Sequence, residues 1–173
     1  MKRKEPRRAS PDHRSASGGP GASLRRAVRR HTPPLRAMSE AKSRRPRAAG
    51  KWTPREILGH LIDSASNNHQ RFVRARFQKD LVFPGYAQEE WVRGQKYAEA
   101  RWAELVELWR LYNLHLARVM EATPESVRRK RTRRHNFHVL LMRKVPEGSP
   151  AALEDLMRDY VAHLEHHVAQ IRV

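Results

Sequence analysis

The sequence predicts an all-α protein, an antiparallel four-helix bundle with a disordered basic tail at its N-terminus. Three observations carry this. Apolar residues recur at three-and-four spacing over three long stretches between Trp52 and Ile171, the mark of helices that bury one face. No segment of useful length shows the period of two that a half-buried strand needs. The connections between the stretches are short, which suits neighbours in a bundle.

The elements follow in order. Residues 1–50 are rich in Arg, Pro, Ser, Gly and Ala and poor in large apolar side chains, so they are assigned to a disordered tail outside a domain of residues 51–173. Three readings of the tail stay open. It is a dispensable leader, with Met38 as an alternative start; or an arm that binds nucleic acid or another polyanion nonspecifically; or an organellar presequence, against which its Pro and Gly content argues. Thr53-Pro54-Arg55-Glu56 forms a capping box with proline at the first helical position. The helix it opens runs to about Gln78, with Ile57, Leu61, Ser64, Ala65, Asn68 and Phe72 facing inward and His60 bordering them. Gly59 interrupts it, at about 1 kcal/mol relative to alanine, and leaves bare backbone for close packing near His60.

Pro84-Gly85 marks a loop, and a short helix follows through Glu89 to Val92. The next long helix spans about Ala98 to Ala122, with Leu105, Leu108, Trp109, Tyr112, Leu116, Val119 and Met120 as its core face, and Thr123-Pro124 ends it. In Arg128 to Arg134, RRKRTRR, six of seven residues are positive, and such density favours a solvated loop or a phosphate-binding patch. Phe137 to Met142 reads as a short strand or an extra turn. The last helix runs from Ser149 at the N-cap and Pro150 at the first position to Ile171. Its stripe is Leu153, Leu156, Met157, Tyr160, Leu164, Val168 and Ile171, with His163 and His167 inside it.

Composition sets outer limits. The 173 residues suit one domain and a tail, and no apolar run is long enough to span a bilayer; the localisation expected is cytoplasmic. With no cysteine, disulfides, thiolate metal sites and a cysteine nucleophile are excluded, and any metal takes N or O ligands. The net charge of +18 divides as +12 in residues 1–50 (15 Lys/Arg against 3 acids) and +6 in the remainder (21 against 15), so the basicity belongs mostly to the tail.

Chemistry concentrates in three of the ten histidines. His163 and His167 are four apart, which brings their side chains to one face. Two imidazoles aimed into a core need partners for their nitrogens, and a metal ion satisfies both. His60, on the first long helix, supplies a third ring if that helix faces the last one, as in bundle-core metal sites. Three imidazoles with an open position form a catalytic zinc-type centre. Ligating rings must be deprotonated, so occupancy should weaken as pH falls towards and below about 6.5. The segment is not HExxH, since Leu164 follows His163, and the HxE of His163-Leu164-Glu165 lacks the paired cysteines of zinc deaminases. Glu165 lies nearly opposite the inward face and should be solvated; His166 belongs to the surface. Helical spacing puts Asp63, Ser64, Asn67, Asn68 and Asp159 within reach of the rings, as hydrogen-bond partners that would fix their tautomers or as ordinary boundary residues. Tyr86, Trp91 and Tyr97 wall a cleft or close the bundle.

The runs WTPREILGHLIDSASNNHQRF, FPGYAQEEWV, Gln95-Lys96-Tyr97, LWRLYNLHL and LMRDYVAHLEHHVAQI together resemble the DinB/YfiT-like superfamily, four-helix-bundle proteins often described as metal-dependent hydrolases. The resemblance covers nearly all of residues 52–173. It implies that His60, His163 and His167 are the metal ligands, that the ion is nickel or zinc and in some members another divalent ion, that a homodimer is frequent, and that the substrate is a small molecule. Some members resemble thiol S-transferases that use bacillithiol, mycothiol or glutathione. The chain departs from the family at RRKRTRR and at its long tail. The function expected is metal-assisted activation of a low-molecular-weight thiol or water for attack on an electrophilic small molecule. The alternative is a non-catalytic bundle whose basic tail and loop bind nucleic acid or another polyanion.

Overall fold

The computed structural model describes residues 18–171. Four long helices form its body: α1 (Pro20–Ala37), α3 (Pro54–Arg74), α5 (Trp102–Glu121) and α8 (Leu153–Ile171). Short helices α2 (Glu40–Ser43), α4 (Gln88–Gly94), α6 (Glu125–Arg128) and α7 (Phe137–Leu140) lie in the connections. Strand β1 (Arg131–Thr132) pairs antiparallel with β2 (Ala151–Ala152) in a two-stranded ribbon. The bundle closes as a ring in which α1 packs on α5, α5 on α3, α3 on α8 and α8 on α1.

Cross-helix contacts give the directions. Arg25 meets Glu121 and Trp102 meets Leu35, so α1 and α5 are antiparallel. Arg55 reaches Ala98 while His69 lies against Tyr112 and His115, so α3 and α5 are parallel. His60 faces His163 and His167 while Phe72 faces Tyr160, so α3 and α8 are antiparallel. It follows that α1 and α8 share one direction and α3 and α5 the other. Parallel neighbours require a connection that returns along the bundle. The segment of residues 75–101 is that crossover, and it contributes to the site described below.

The fourth helix is α1, inside the segment that composition assigns to disorder. This corrects both the disordered-tail assignment of residues 18–50 and the domain boundary at residue 51; residues 1–17 lie outside the described residues. Proline opens α1 at its first position, and Leu24, Ala27, Val28, His31, Thr32 and Leu35 form a buried stripe at helical spacing. Pro33 and Pro34 remove two helix N–H donors near its end. Trp102 offsets part of this loss, since its Nε1–H donates to Leu35 O at 2.7 Å. Gly21 sits so close to α5 that a Cβ there would come within 2.8 Å of Ala117 O. The short helix α2 is also held. The fully buried Arg55 guanidinium pairs with Glu40 and donates to Ser43 Oγ at 2.9 Å and Ala98 O at 3.2 Å. Glu40 in turn accepts the Trp102 backbone N–H at 2.8 Å. Met38 is therefore an internal residue of the fold, because a chain starting there lacks one wall of the core.

The capping box at Thr53 and Glu56 opens α3 as expected. The apolar stripe of α8 is buried residue for residue. Its start differs: Ala151-Ala152 is extended and paired with β1, so Ser149 and Pro150 lie before the helix, and Asp155 accepts the Ala152 N–H at 2.8 Å. On α5, Leu108 is 49% exposed, whereas Trp102, Val106, Asn113 and Ala117 are buried.

The RRKRTRR segment is solvent-exposed at all but Arg128 and Thr132, as expected, but its arginines are partnered. Arg128 and Arg129 pair with Glu154, Arg131 and Arg133 donate to Pro150 O and Gly148 O, and Arg134 pairs with Asp80. These partners fasten it along the start of α8. Phe137 to Met142 takes the extra-turn form rather than the strand: α7 is a single helical turn over its first four residues.

Two outcomes test the placement of α1. Leu24 is fully buried, so Leu24→Ala should lower unfolding free energy by about 2–5 kcal/mol in urea denaturation. A chain beginning at Met38 should lose the cooperative thermal transition in circular dichroism that a chain beginning at Gly18 retains.

Candidate metal centre

α3 and α8 cross where both helices carry histidine. His60 is wholly buried on α3, and His163 and His167 lie half-buried one turn apart on α8. One ligand atom from each ring lies within 4.8 Å of the other two. Nε2 of His60 and Nε2 of His163 are 3.2 Å apart. Two metal–nitrogen bonds of about 2.0–2.1 Å at a tetrahedral angle span about 3.4 Å, so this pair already stands near ligating separation. Ring centroids are 5.1 Å apart for His60–His163, 4.7 Å for His60–His167 and 4.4 Å for His163–His167. The Trp52 ring lies 5.3 Å from that of His60.

Electrostatics keep these rings neutral. Burial, reinforced by His167, holds the His60 pKa down to about 4. Burial, with His167, His60 and His166 nearby, brings His163 to about 3. His167 is also lowered, first by burial and then by His166. The protonation range expected from an unperturbed imidazole near 6.5 is thus displaced downward, and at neutral pH all three rings keep a lone pair free. Nδ1 of each ring is buried without a hydrogen-bond partner among the described residues. Three converging neutral imidazoles fit a divalent metal ion.

None of the five side chains expected to fix the tautomers hydrogen-bonds an imidazole, although Asp63 Oδ2 and Asn68 Oδ1 are buried without a partner among the described residues. Asp63 Oδ1 accepts from Tyr97 Oη at 2.7 Å and Gln95 Nε2 at 2.6 Å. Asn67 Nδ2 donates to Asp63 O, and Asn68 Nδ2 to Ser64 O. The Ser64 hydroxyl faces that of Tyr86. Asp159 accepts the backbone N–H groups of Met142 at 3.0 Å and Arg143 at 2.8 Å. The role of Asp63 is structural, since with Gln95 and Tyr97 it clasps the crossover onto α3. A Cβ on Gly59 would stand 2.1 Å from the Tyr97 ring, so glycine beside His60 is what lets that ring dock. The sharp bend at Lys96, with φ of 53°, aims Gln95 and Tyr97 at the same carboxylate.

A cleft of about 370 Å³ opens beside the centre, with His163 and His167 in its wall. Ser64, Asn68 and Arg71 line it from α3, Tyr86 and Gln88 from the crossover, and Val139 to Met142 from the segment around α7. Tyr86 is therefore a cleft residue, its ring tilted 53° against that of the partly exposed Trp91 with centroids 5.0 Å apart, while Tyr97 closes the bundle. Sequence spacing missed Arg71, although it continues the face of His60, Ser64 and Asn68 by one more turn. Glu165 is not solvated as expected: it pairs with Arg30 and His31 of α1, which pins α8 to that helix. His166 lies at the rim, its Nε2 3.0 Å from Gln170 Nε2.

The sequence model of the DinB superfamily matches residues 23–171, taking in all four bundle helices. The chain belongs to the DinB superfamily. It is 27% identical over 127 residues to a Bacillus mycoides (strain KBAB4) protein named "Putative metal-dependent hydrolase", a match covering 73% of this chain and 66% of that protein, just under two thirds of its length. Among solved structures it is similar to YfiT from Bacillus subtilis, described as "a probable metal-dependent hydrolase with an unusual four-helix bundle topology". That likeness has a TM-score of 0.71 at 18% identity and covers 97% of this chain and 89% of YfiT. A mycothiol-dependent maleylpyruvate isomerase superposes with a TM-score of 0.65 at 12% identity, over 88% of this chain and 59% of the isomerase. At those identities the two structures bear on the fold alone. No described helix is long and apolar enough to cross a membrane.

The pKa directions give a test. A ring whose folded pKa lies below its unfolded 6.5 gains a proton on unfolding at any pH between the two values. Stability of the metal-free protein should be full above pH 6.5 and fall progressively below it, down to about 4 for His60 and about 3 for His163. Urea titrations from pH 7.5 to 3.5 check this, and His163→Phe should flatten the acid limb.

Proposed function

We propose that this protein is a metal-dependent enzyme acting on small molecules, with one divalent ion, zinc or nickel, held by His60, His163 and His167. One observation carries the reading: three neutral imidazoles from two helices converge within 4.8 Å in the wall of a cleft of about 370 Å³. The names borne by the Bacillus mycoides relative and by YfiT support it.

When bound, the ion supplies Lewis acidity that stabilises the anion of a nucleophile, either water or a low-molecular-weight thiol. The remaining work falls to the chain. Burial keeps the three rings unprotonated, so their lone pairs are available at neutral pH. The clasp of Asp63, Gln95 and Tyr97 fixes the turn of α3 that carries His60. Trp52 packs against His60, so access runs through the cleft past His163 and His167. Tyr86 and the segment Val139 to Met142 bound the space in which an electrophilic substrate would meet the nucleophile. The thiol reading draws support from the mycothiol-dependent isomerase, and the water reading from the hydrolase names.

Elemental analysis of protein purified without a histidine tag should find close to one equivalent of a divalent metal. His163→Ala combined with His167→Ala should reduce it to background while circular dichroism keeps the helical signal. Unchanged metal content in that double variant would remove the proposed centre.

A further inference from the structure

The cleft beside the histidines has a cation in its wall, Arg71, that no anion pairs with among the described residues. Arg71 is only 7% exposed, yet it lines the cleft. Its Nη2 donates to Pro84 O at 2.8 Å, and that is the one hydrogen bond its guanidinium makes among the described residues. No described carboxylate lies within ion-pair distance of it. The other buried arginine, Arg55, has Glu40, Ser43 and Ala98 around its guanidinium. A guanidinium offers five N–H donors in a planar fork, and burying it beside a single carbonyl is costly unless something else answers the charge.

The surroundings say what kind of group answers it. The acid on the cleft lining is Asp159, and both of its oxygens are taken by the backbone N–H groups of Met142 and Arg143. The other polar groups near Arg71 on α3 and the crossover are neutral: Ser64, Asn68, Tyr86 and Gln88. Asn68 itself leaves Oδ1 buried and unpartnered. No lysine or second arginine lines the cleft, and no helix N-terminus of useful length points into it. One fork with neutral hydroxyls and amides around it matches a planar monoanion. A phosphate dianion calls for more positive charge than this wall provides.

We propose that Arg71 docks a carboxylate, so that the reactant in this cleft is a small organic acid with its other end directed toward His163 and His167. The direction of that other end rests on the metal-centre reading; the docking on Arg71 does not. Arg71 lies eleven residues after His60, a rise of about 16 Å along α3, and its long side chain leans back toward the N-terminal end of the helix. A carboxylate held there leaves room for several carbon atoms between it and the histidines. This assigns a substrate class, a carboxylic acid longer than acetate, and it gives Arg71 a binding role.

The test uses metal-free full-length protein. Pentanoate and, as its uncharged counterpart, pentan-1-ol are titrated while the arginine Nε–H signals are followed by NMR. Pentanoate should shift the Arg71 signal in a saturable way and the alcohol should not. Arg71→Met should abolish saturation with the helical signal intact. Arg71→Lys keeps the charge but loses the fork, and should weaken pentanoate about tenfold. Absence of saturation in the wild type, equal affinity in either variant, or tighter binding of inorganic phosphate than of pentanoate would overturn the proposal. Such a failure, with metal content intact in the purified protein, would remove the docking and leave the centre standing. Pentanoate saturation in a protein that purifies without metal would uphold the docking and remove the centre.

Discussion

Three imidazoles share one helix crossing without a proton to spare among them, and much of the remaining architecture serves that condition. Charged rings at such separations would repel, so the crossing must stay dry enough to hold their pKa values well below neutral. α1 and α5 close the far side of the bundle, Trp52 packs on His60, and the crossover lays Tyr97 over the bare backbone at Gly59. Each contact removes water from the same turn of α3. The antiparallel pairing of α3 with α8 then sets His60 against two rings spaced one turn apart. Parallel pairing of α3 with α5 obliges the chain to return along the bundle between them, and that return delivers both the clasp and the Tyr86 wall of the cleft.

The helices carrying the histidines were legible because their patterns are strong. The Thr53–Glu56 capping box and the unbroken stripe of α8 are local signals that packing did not override. α1 was harder to see. Leu24, Ala27, Val28 and Leu35 keep helical spacing, but arginines crowd between them and Pro33-Pro34 closes the run, so composition outweighs period. What rescues the helix is tertiary: Trp102 caps it, Glu121 pairs with Arg25, and Glu165 meets Arg30 and His31. None of those partners lies within 60 residues of its mate, so no local window contains them. The same holds for RRKRTRR, whose like charges announce its exposure but not the partners Glu154 and Asp80, which arrive from elsewhere.

Within the site, helical spacing put His163 and His167 on one face and misjudged their surroundings. Periodicity states which residues of one helix share a face; adding His60 took the pairing of α3 with α8, which the resemblance to the superfamily implied. Which partner a polar side chain takes depends on segments that arrive from outside the helix. Asp63 lies a turn from His60 but turns to Gln95 and Tyr97, and Asp159 lies a turn from His163 but turns to backbone N–H groups. Arg71 went unnoticed because an arginine at the end of a helix ordinarily faces water; here Pro84 and the loop around it cover it.

The tether from Asp159 to Met142 and Arg143 runs through main-chain amides alone. The position of the lip above the histidines is therefore indifferent to which side chains the lip displays. Val139 and Met142 both stand largely in solvent at its edge. Exchange of those residues would repaint the entrance while its frame stayed fixed to α8, the helix that also bears two of the three rings. Selectivity at the doorway and geometry at the centre are thereby separable traits, free to drift independently within one scaffold.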